Sequence, residues 1–139
     1  MSTAESAEAV PLVRIYASDW SDEVRRGVVD AACNAGYRFE LGELGEGDSL
    51  PADTAIFVFG EQVGCRAGIE LCRAARRAEE TAGIPVILFG QAEQVAIHEG
   101  WKAGAAAYLT DPLVPDFHVC ISRLLAVRAQ RRGSRSPPT

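Results

Sequence analysis

The sequence predicts an α/β domain in which a five-stranded parallel sheet is covered by helices on both faces. Short apolar runs alternate with stretches of helical periodicity along most of the 139 residues, and this alternation is typical of strand–helix–strand units. The apolar runs are mostly continuous, as expected of strands that are buried on both faces of a parallel sheet. Apolar residues make up 47% of the chain, which is enough for the core of one domain.

Five runs are predicted to form the strands of this sheet. The first, third and fourth are largely continuous, the second alternates apolar with polar residues, and the fifth is short. In chain order they cover residues 13–17, 37–41, 55–59, 85–89 and 105–109.

Four helices are predicted between and after these strands. They cover residues 22–34, 68–81, 92–103 and 115–132. Their apolar residues recur at helical spacing, as Phe117, Ile121 and Leu124 do in the last helix. Residues 42–53 contain three glycines and one proline and show little periodicity, so the second crossover helix is predicted to be shortened or absent. This element order fits a doubly wound, flavodoxin-like sheet with the strand order 2-1-3-4-5.

The domain is predicted to span residues 13–132. Residues 1–12 are rich in Ala, Glu and Ser and are expected to form an N-terminal tail, and residues 133–139 a C-terminal tail or a linker. No apolar run approaches the roughly 20 residues that span a membrane, and no secretory signal is visible. A cytoplasmic protein without membrane insertion is therefore expected.

The charge pattern argues against nucleic acid as a partner. The formal net charge is −5, whereas phosphate backbones are bound by clustered Lys and Arg. The basic cluster near the C-terminus, at Arg128, Arg131, Arg132 and Arg135, is interpreted as a solvated last helical turn, where cations suit the helix dipole.

The four cysteines do not indicate a metal site or a catalytic thiol. None of Cys33, Cys65, Cys72 and Cys120 forms a CxxC pair, and no histidine stands at metal-ligand spacing. Cys65 falls in a predicted loop, and the other three fall in helices, where they are expected to pack as small apolar side chains.

Three segments resemble the receiver domains of bacterial response regulators, the CheY-like family. GIELCRAAR at residues 68–76 is similar to the family's third-helix segment, IPVILFG at 84–90 to its fourth strand, and AGAAAYLTDP at 103–112 to the family's AGADDYLTKP. The resemblance runs from about residue 13 to about residue 132. It implies a receiver-like fold with a phosphorylation site at the carboxyl edge of the sheet.

Phosphoryl transfer in that family uses an acidic pair that holds Mg²⁺, an Asp nucleophile, a Ser or Thr, and a Lys. By the resemblance, the acidic pair falls on Asp19 and Trp20, the nucleophile on Gly60, the Ser or Thr on Gly90 and the Lys on Asp111. Four of the five groups are thus replaced, so we expect a pseudo-receiver that lacks the phosphoacceptor Asp. No cofactor, metal or enzymatic activity is predicted.

The family passes its signal from the Ser or Thr to an aromatic residue on the fifth strand, which is Tyr108 here. Gly90 has no hydroxyl to move, so the surface around Tyr108 is expected to be fixed or set by a partner. For Trp101, a role in filling the core is favoured over a role as a binding anchor. Tyr108 is interpreted as a packed residue with its hydroxyl at the surface. By resemblance, this output face carries Ile97, Trp101, Lys102, Ala106, Ala107 and Tyr108.

The predicted function is phosphorylation-independent docking or dimerisation in bacterial two-component-type signal transduction. The partner would be a signalling or localisation protein, a linked output domain, or a second copy of the chain. We expect the degenerate site to be collapsed, with Trp20 filling the space beside the two glycines. A remodelled site would instead make the chain a small-molecule-binding regulatory module, because open α/β sheets bind ligands at that edge. The resemblance also implies a cis peptide bond before Pro112.

Overall fold

The computed structural model describes residues 10–32, 37–44, 48–112 and 115–134. Within these residues the chain forms seven strands and four helices. In chain order they are β1 (Leu12–Tyr16), α1 (Asp22–Ala32), β2 (Arg38–Gly42), β3 (Ile56–Phe59), β4 (Gln62–Val63), β5 (Arg66–Ala67), α2 (Gly68–Arg77), β6 (Val86–Phe89), α3 (Gln94–Lys102), β7 (Ala107–Leu109) and α4 (Pro115–Ser134).

Five of the strands form one sheet in the order β2-β1-β3-β6-β7, and every neighbouring pair is parallel. Counted without the short strands β4 and β5, this is the predicted doubly wound order 2-1-3-4-5. The register is continuous across the sheet, with Ile15 opposite Val58, Val58 opposite Ile87, and Ile87 opposite Ala107. The flavodoxin-like fold class predicted from the sequence is therefore confirmed.

The second crossover contains no helix in its described part, residues 43–44 and 48–55. The chain returns to the sheet through a turn in which the hydroxyl of Thr54 donates to the carbonyl of Pro51 at 2.8 Å. Arg14 of β1 holds this turn, since its Nε donates to Thr54 Oγ1 at 2.9 Å. The predicted shortening or loss of the second crossover helix is confirmed for these residues.

β4 and β5 pair as a small antiparallel hairpin that the sequence pattern did not predict. Strands of two residues are too short for the period-two alternation that identifies a strand. Gly64 forms the turn with a φ of 65°, a backbone conformation that favours glycine. Cys65 beside it is exposed, as expected for a loop residue.

Two apolar layers cover the main sheet, because successive side chains of a strand point to opposite faces. Ile56 and Val58 of β3 join the layer that contains Phe117 of α4, whereas Phe57 and Phe59 join the layer that contains the buried residues of α2. All four side chains of β3 are fully buried. This two-sided burial explains why the central strands have continuous apolar sequences.

α2 ends at Arg77, four residues before its predicted end at residue 81. Ala78 is extended, with a ψ of 129°, and the hydroxyl of Thr81 folds back to donate to the carbonyl of Ala75 at 2.7 Å. This bond satisfies one of the carbonyls that a helix end leaves unpaired, so the helix stops before the apolar pattern does.

The predicted tails lie largely outside the described residues, which exclude 1–9 and 135–139. β1 already begins at Leu12, and α4 continues to Ser134. Cys33 also lies outside the described residues, whereas Cys72 is buried in α2 and Cys120 is half-buried in α4, as predicted. Among the described helices, none combines the length and the hydropathy that crossing a membrane requires.

Candidate functional site

The loop after β1 is bonded to the β4–β5 hairpin at the carboxyl edge of the sheet, the edge at which open α/β folds bind ligands. Ser18 makes three of the hydrogen bonds. Its N–H and its hydroxyl both donate to the carbonyl of Gln62, at 2.9 and 3.0 Å, and the hydroxyl accepts from the N–H of Gly64 at 2.8 Å. The hairpin is therefore held over the end of β1.

Asp19 lies against Gly60, the position to which the resemblance assigns the nucleophile. Asp19 Oδ1 accepts from the N–H of Gln62 at 3.2 Å. A Cβ on Gly60 would stand 2.6 Å from this oxygen and 2.7 Å from the Cβ of Ala17. Both separations are far below the roughly 3.5–4.0 Å of nonbonded carbon contacts, so position 60 has no room for a side chain. The adjacent Phe59 is fully buried.

Gly68 closes the same region from the side of α2. Its N–H donates to the carbonyl of Glu61 at 3.0 Å, and a Cβ on Gly68 would overlap the carbonyl oxygen of Gly60. The backbone after β3 therefore packs directly on the first residue of α2, an approach that only glycine allows.

Trp20 lies in the core and does not fill the space beside the glycines, so that expectation is wrong. Its side chain is 9% exposed, and its ring packs edge-on against Phe89 at 5.4 Å and Phe117 at 6.4 Å between centroids. Burial of the large indole among aromatic rings is more favourable than leaving it at a solvated edge. The space beside Gly60 is taken by Asp19 instead.

Tyr108 occupies the space beside Gly90. Its hydroxyl donates to the carbonyl of Gln91 at 2.9 Å. Burial raises the pKa of Tyr108, and the negative charges of Glu61 and Glu93 raise it further, so the hydroxyl stays protonated and acts as the donor. The half-buried ring also packs against the α2 side of the sheet.

Glu61 and Gln91 complete this edge, although neither is among the predicted site residues. Gln91 Nε2 donates to both carboxylate oxygens of Glu61 at 3.1 Å. Together with Gly90 and Tyr108 they line a shallow depression of about 150 Å³. Their place in the sequence could have identified them, since Glu61 and Gln91 each follow a glycine at the end of a buried strand.

Asp111 is exposed and stands two residues after the end of β7. The described peptide bonds, including the one between Asp111 and Pro112, are all trans, so the cis bond implied by the resemblance is wrong. No group of three or more His, Cys, Asp or Glu side chains in the described part of the chain is arranged to hold a metal.

The residues present do not fit the Mg²⁺ ion that receiver domains bind. Of the two positions assigned to the acidic pair, Asp19 keeps a carboxylate, and its Oδ1 already accepts from a backbone N–H. Trp20 is directed into the core. A Mg²⁺ site needs several oxygen ligands in near-octahedral geometry, which this pair does not supply.

The output face is more exposed than predicted. Trp101 is 51% exposed, so its interpretation as core filling is wrong. Lys102 and Ala106 are exposed, whereas Ile97, Ala107 and Tyr108 are half-buried. Val95 of α3, which the sequence did not single out, is 73% exposed.

No protein-family model and no curated protein matches the chain. Among solved structures, the chain is similar to a CheY-like response regulator receiver domain from Methanospirillum hungatei, with a TM-score of 0.70 and 21% identity over 88% of this chain and 99% of that one. It is also similar to the chemotaxis response regulator CheY4 of Vibrio cholerae, with a TM-score of 0.65 and 18% identity over 84% and 99%. A third similar structure is the OmpR/PhoB homologue DrrB of Thermotoga maritima, with a TM-score of 0.69 and 19% identity over 86% of this chain and 54% of that one.

These likenesses and the strand order together define a doubly wound α/β fold of the receiver type. The fold is that of CheY-like response regulator receiver domains. The receiver-like fold that the three sequence segments imply is therefore confirmed.

Proposed function

We propose that the chain is a pseudo-receiver, a domain with the receiver fold that docks a protein partner or a second copy of itself without being phosphorylated. It would act in bacterial two-component-type signal transduction, with a signalling or localisation protein or a linked output domain as its partner. The observation that carries the proposal is the closed packing around Gly60.

Phosphorylation of a receiver needs a carboxylate at the end of the third sheet strand and cations that neutralise the phosphoryl oxygens. At Gly60, Asp19 and Ala17 fill the space that a nucleophile would need. Gly90 offers no hydroxyl, and Asp111 brings a negative charge to the position that the resemblance assigns to a Lys. These features support a domain whose surface, and not its chemistry, carries the function.

The output face supports docking as that function. Exposed Trp101 and Val95 lie on α3, and exposed Ala106 precedes β7. Aromatic residues are enriched in protein interfaces and often contribute most of the binding energy. A surface with a half-exposed tryptophan and few charges is typical of a contact region.

The depression at the carboxyl edge is small for a ligand site. Its volume is about 150 Å³, below the roughly 300 Å³ at which small-molecule pockets begin. A groove of about 960 Å³ lies at the opposite edge, among residues that precede β3, β6 and β7. Size therefore favours a protein partner over a small molecule at the carboxyl edge.

Titration with Mg²⁺ and beryllofluoride, a mimic of the phosphoryl group, tests independence from phosphorylation. We expect the amide resonances of Gly60, Gly90 and Asp111 to remain unchanged in ¹⁵N-resolved NMR spectra. A phosphorylatable receiver domain titrated in parallel should show saturable shifts. Saturable, Mg²⁺-dependent shifts around Gly60 in this chain would contradict the proposal.

Variants of the output face test docking. Trp101→Ala and Ala106→Glu should reduce partner recovery, or self-association measured by sedimentation, several-fold. The matched control is Leu41→Ala, since Leu41 is also exposed, at 38%, but lies on β2 at the other edge of the sheet. Equal binding by all three variants would place the interface elsewhere.

A further inference from the structure

Two glycines hold the ring of Tyr108 between them. A Cβ on Gly100 would stand 2.5 Å from Cδ2 and 2.9 Å from Cε2 of the ring, and a Cβ on Gly90 would overlap the hydroxyl and stand 3.0 Å from Cζ. Gly100 lies in α3, whereas Gly90 directly follows β6. Neither has a positive φ, so the need for glycine comes from the space that the ring occupies.

The hydroxyl end of Tyr108 is fixed by a short chain of hydrogen bonds. The hydroxyl donates to the carbonyl of Gln91 at 2.9 Å, and the side-chain amide of Gln91 donates to the carboxylate of Glu61 at 3.1 Å. These bonds link the hydroxyl of Tyr108 to the segment that follows β3. The ring is therefore confined by the two glycines, and its hydroxyl is fixed by hydrogen bonds.

We propose that Gly90 and Gly100, which leave room for the ring of Tyr108, form a latch that holds this ring in one position against α3. This position gives the output face a single conformation in the wild-type protein. The inference deepens the proposed function and rests on it for its biological role. A side chain at either glycine position would displace the ring toward solvent, beside Trp101 and Ala106. The latch therefore determines which surface a partner meets.

Carbon NMR tests the latch directly. The chain has three tyrosines, so labelling with tyrosine carrying ¹³C at Cζ, which lies on the axis of ring flipping, gives three sites, and Tyr108→Phe assigns the relevant resonance. We expect one Tyr108 resonance in the wild-type protein. In Gly90→Ala and in Gly100→Ala it should shift, and its broadening by a soluble gadolinium chelate should increase several-fold.

Gly83→Ala is the matched control, because a Cβ at Gly83 would meet no atom within 4 Å. It should leave the Tyr108 resonance unchanged. Two Tyr108 resonances in the wild-type protein would overturn the latch, because the ring would then already occupy two positions. An unshifted Tyr108 in both alanine variants would overturn it as well.

Thermal unfolding gives a second test if an alanine variant folds poorly. Replacement of glycine by alanine inside a helix ordinarily stabilises it, so a lower melting temperature in Gly100→Ala would indicate a clash. With Tyr108→Ala as the background, the same Gly100→Ala change should lower the melting temperature several-fold less. Equal losses in the two backgrounds would contradict the latch.

The beryllofluoride titration separates this inference from the proposed function. A response to beryllofluoride would contradict phosphorylation independence but would not affect the contacts between the glycines and the ring. An unchanged Tyr108 resonance in the glycine variants would contradict the latch but would not affect the closed packing at Gly60 or the exposure of the output face.

Discussion

The hydroxyl of Tyr37 bonds to Nδ1 of His118 at 2.8 Å, and the two rings stack with their centroids 6.5 Å apart. The pair joins the residue before β2 to the first turn of α4. Burial raises the pKa of Tyr37 to about 12, so the tyrosine is protonated at neutral pH and donates. Burial also lowers the pKa of His118, so the neutral imidazole accepts.

This pair predicts a loss of stability in mild acid. An unfolded chain protonates His118 near its ordinary pKa of 6.5, whereas the folded protein does so only at lower pH. The stabilisation is thus fully present above pH 6.5 and falls as the pH drops toward the folded pKa. Melting temperatures measured between pH 7.5 and 5, a window of roughly one to two units around the histidine pKa, should show this decline.

The two histidines of the chain provide the control for that measurement. His118→Gln keeps an acceptor for the tyrosine and should flatten the decline. His98 is exposed, and His98→Gln should reproduce the wild-type curve. A wild-type slope in His118→Gln would assign the pH dependence to other groups.

Arg14 is expected to contribute measurably to stability through a partly buried hydrogen-bonded cluster. Its guanidinium donates to Glu40 at 2.6 Å, Asp53 at 3.2 Å and Thr54 at 2.9 Å, and its side chain is only 14% exposed. The two carboxylates are largely exposed, so their part is screened. Arg14→Met should lower the free energy of unfolding by about 1–3 kcal/mol in urea titrations.

Arg73→Met is the comparison for Arg14→Met. Arg73 pairs with Glu99 at 3.5 Å, and both side chains are nearly half exposed. Such surface pairs contribute roughly 0–1 kcal/mol. Equal losses in Arg14→Met and Arg73→Met would mean that partial burial adds nothing to the Arg14 cluster.

Placing a side chain at position 60 should destabilise the protein. Gly60→Ala introduces a Cβ 2.6 Å from Asp19 Oδ1 and should cost about 1–3 kcal/mol, as overpacking does. Gly60→Asp should cost more, because it sets a second carboxylate beside Asp19. Denaturant midpoints check both, and Gly83→Ala should stay within about 0.5 kcal/mol of wild type. Wild-type stability in Gly60→Asp would show that the edge is not closed.

The two tryptophans should differ sharply in their contribution to stability. Trp20 is 9% exposed among Phe89 and Phe117, whereas Trp101 is 51% exposed. Trp20→Ala should therefore lower the free energy of unfolding by about 3–5 kcal/mol. Trp101→Ala should change it by less than about 1 kcal/mol, which also makes it a sound variant for binding studies. Comparable losses in urea titrations would contradict this assignment.

The sheet could be predicted from the sequence because its strands are buried on both faces. β3 and β6 consist of apolar residues alone, and all of them are buried. A continuous apolar run of this kind indicates a strand buried on both faces of a parallel sheet, even when the adjoining segments are not considered. The β4–β5 hairpin could not be predicted, since two-residue strands carry no period, and its position depends on the bonds that Ser18 makes from a distant loop.

The exposure of Trp101 could not be predicted because the buried residue of α3 carries no side chain. Trp101 is large and largely apolar, so core filling was its first interpretation. In the structure the buried residue of this helix is Gly100, against which the ring of Tyr108 rests. Glycine carries no hydrophobic signal, so the sequence did not show that position 100, and not Trp101, faces the core.

The carboxyl edge was only partly predictable for a similar reason. The resemblance correctly placed Asp19 and Gly60 together at one edge. It could not show that the chain turns after Asp19 so that Trp20 enters the core beside Phe89. Nor could it show that Gln91 reaches Glu61, because that bond joins two separate loops.

The packing of Gly60 has a historical consequence. Amino-acid substitutions arise one at a time, and an acidic residue at position 60 would meet Ala17 and Asp19 before it gained any reactive role. The carbonyl of Gly60 also rests on the bare backbone of Gly68, so a change of local path would disturb α2 as well. A side chain introduced at position 60 alone is therefore expected to be deleterious in this background. An acidic residue at position 60 would therefore have to be preceded by compensating changes at Ala17, Asp19 or Gly68.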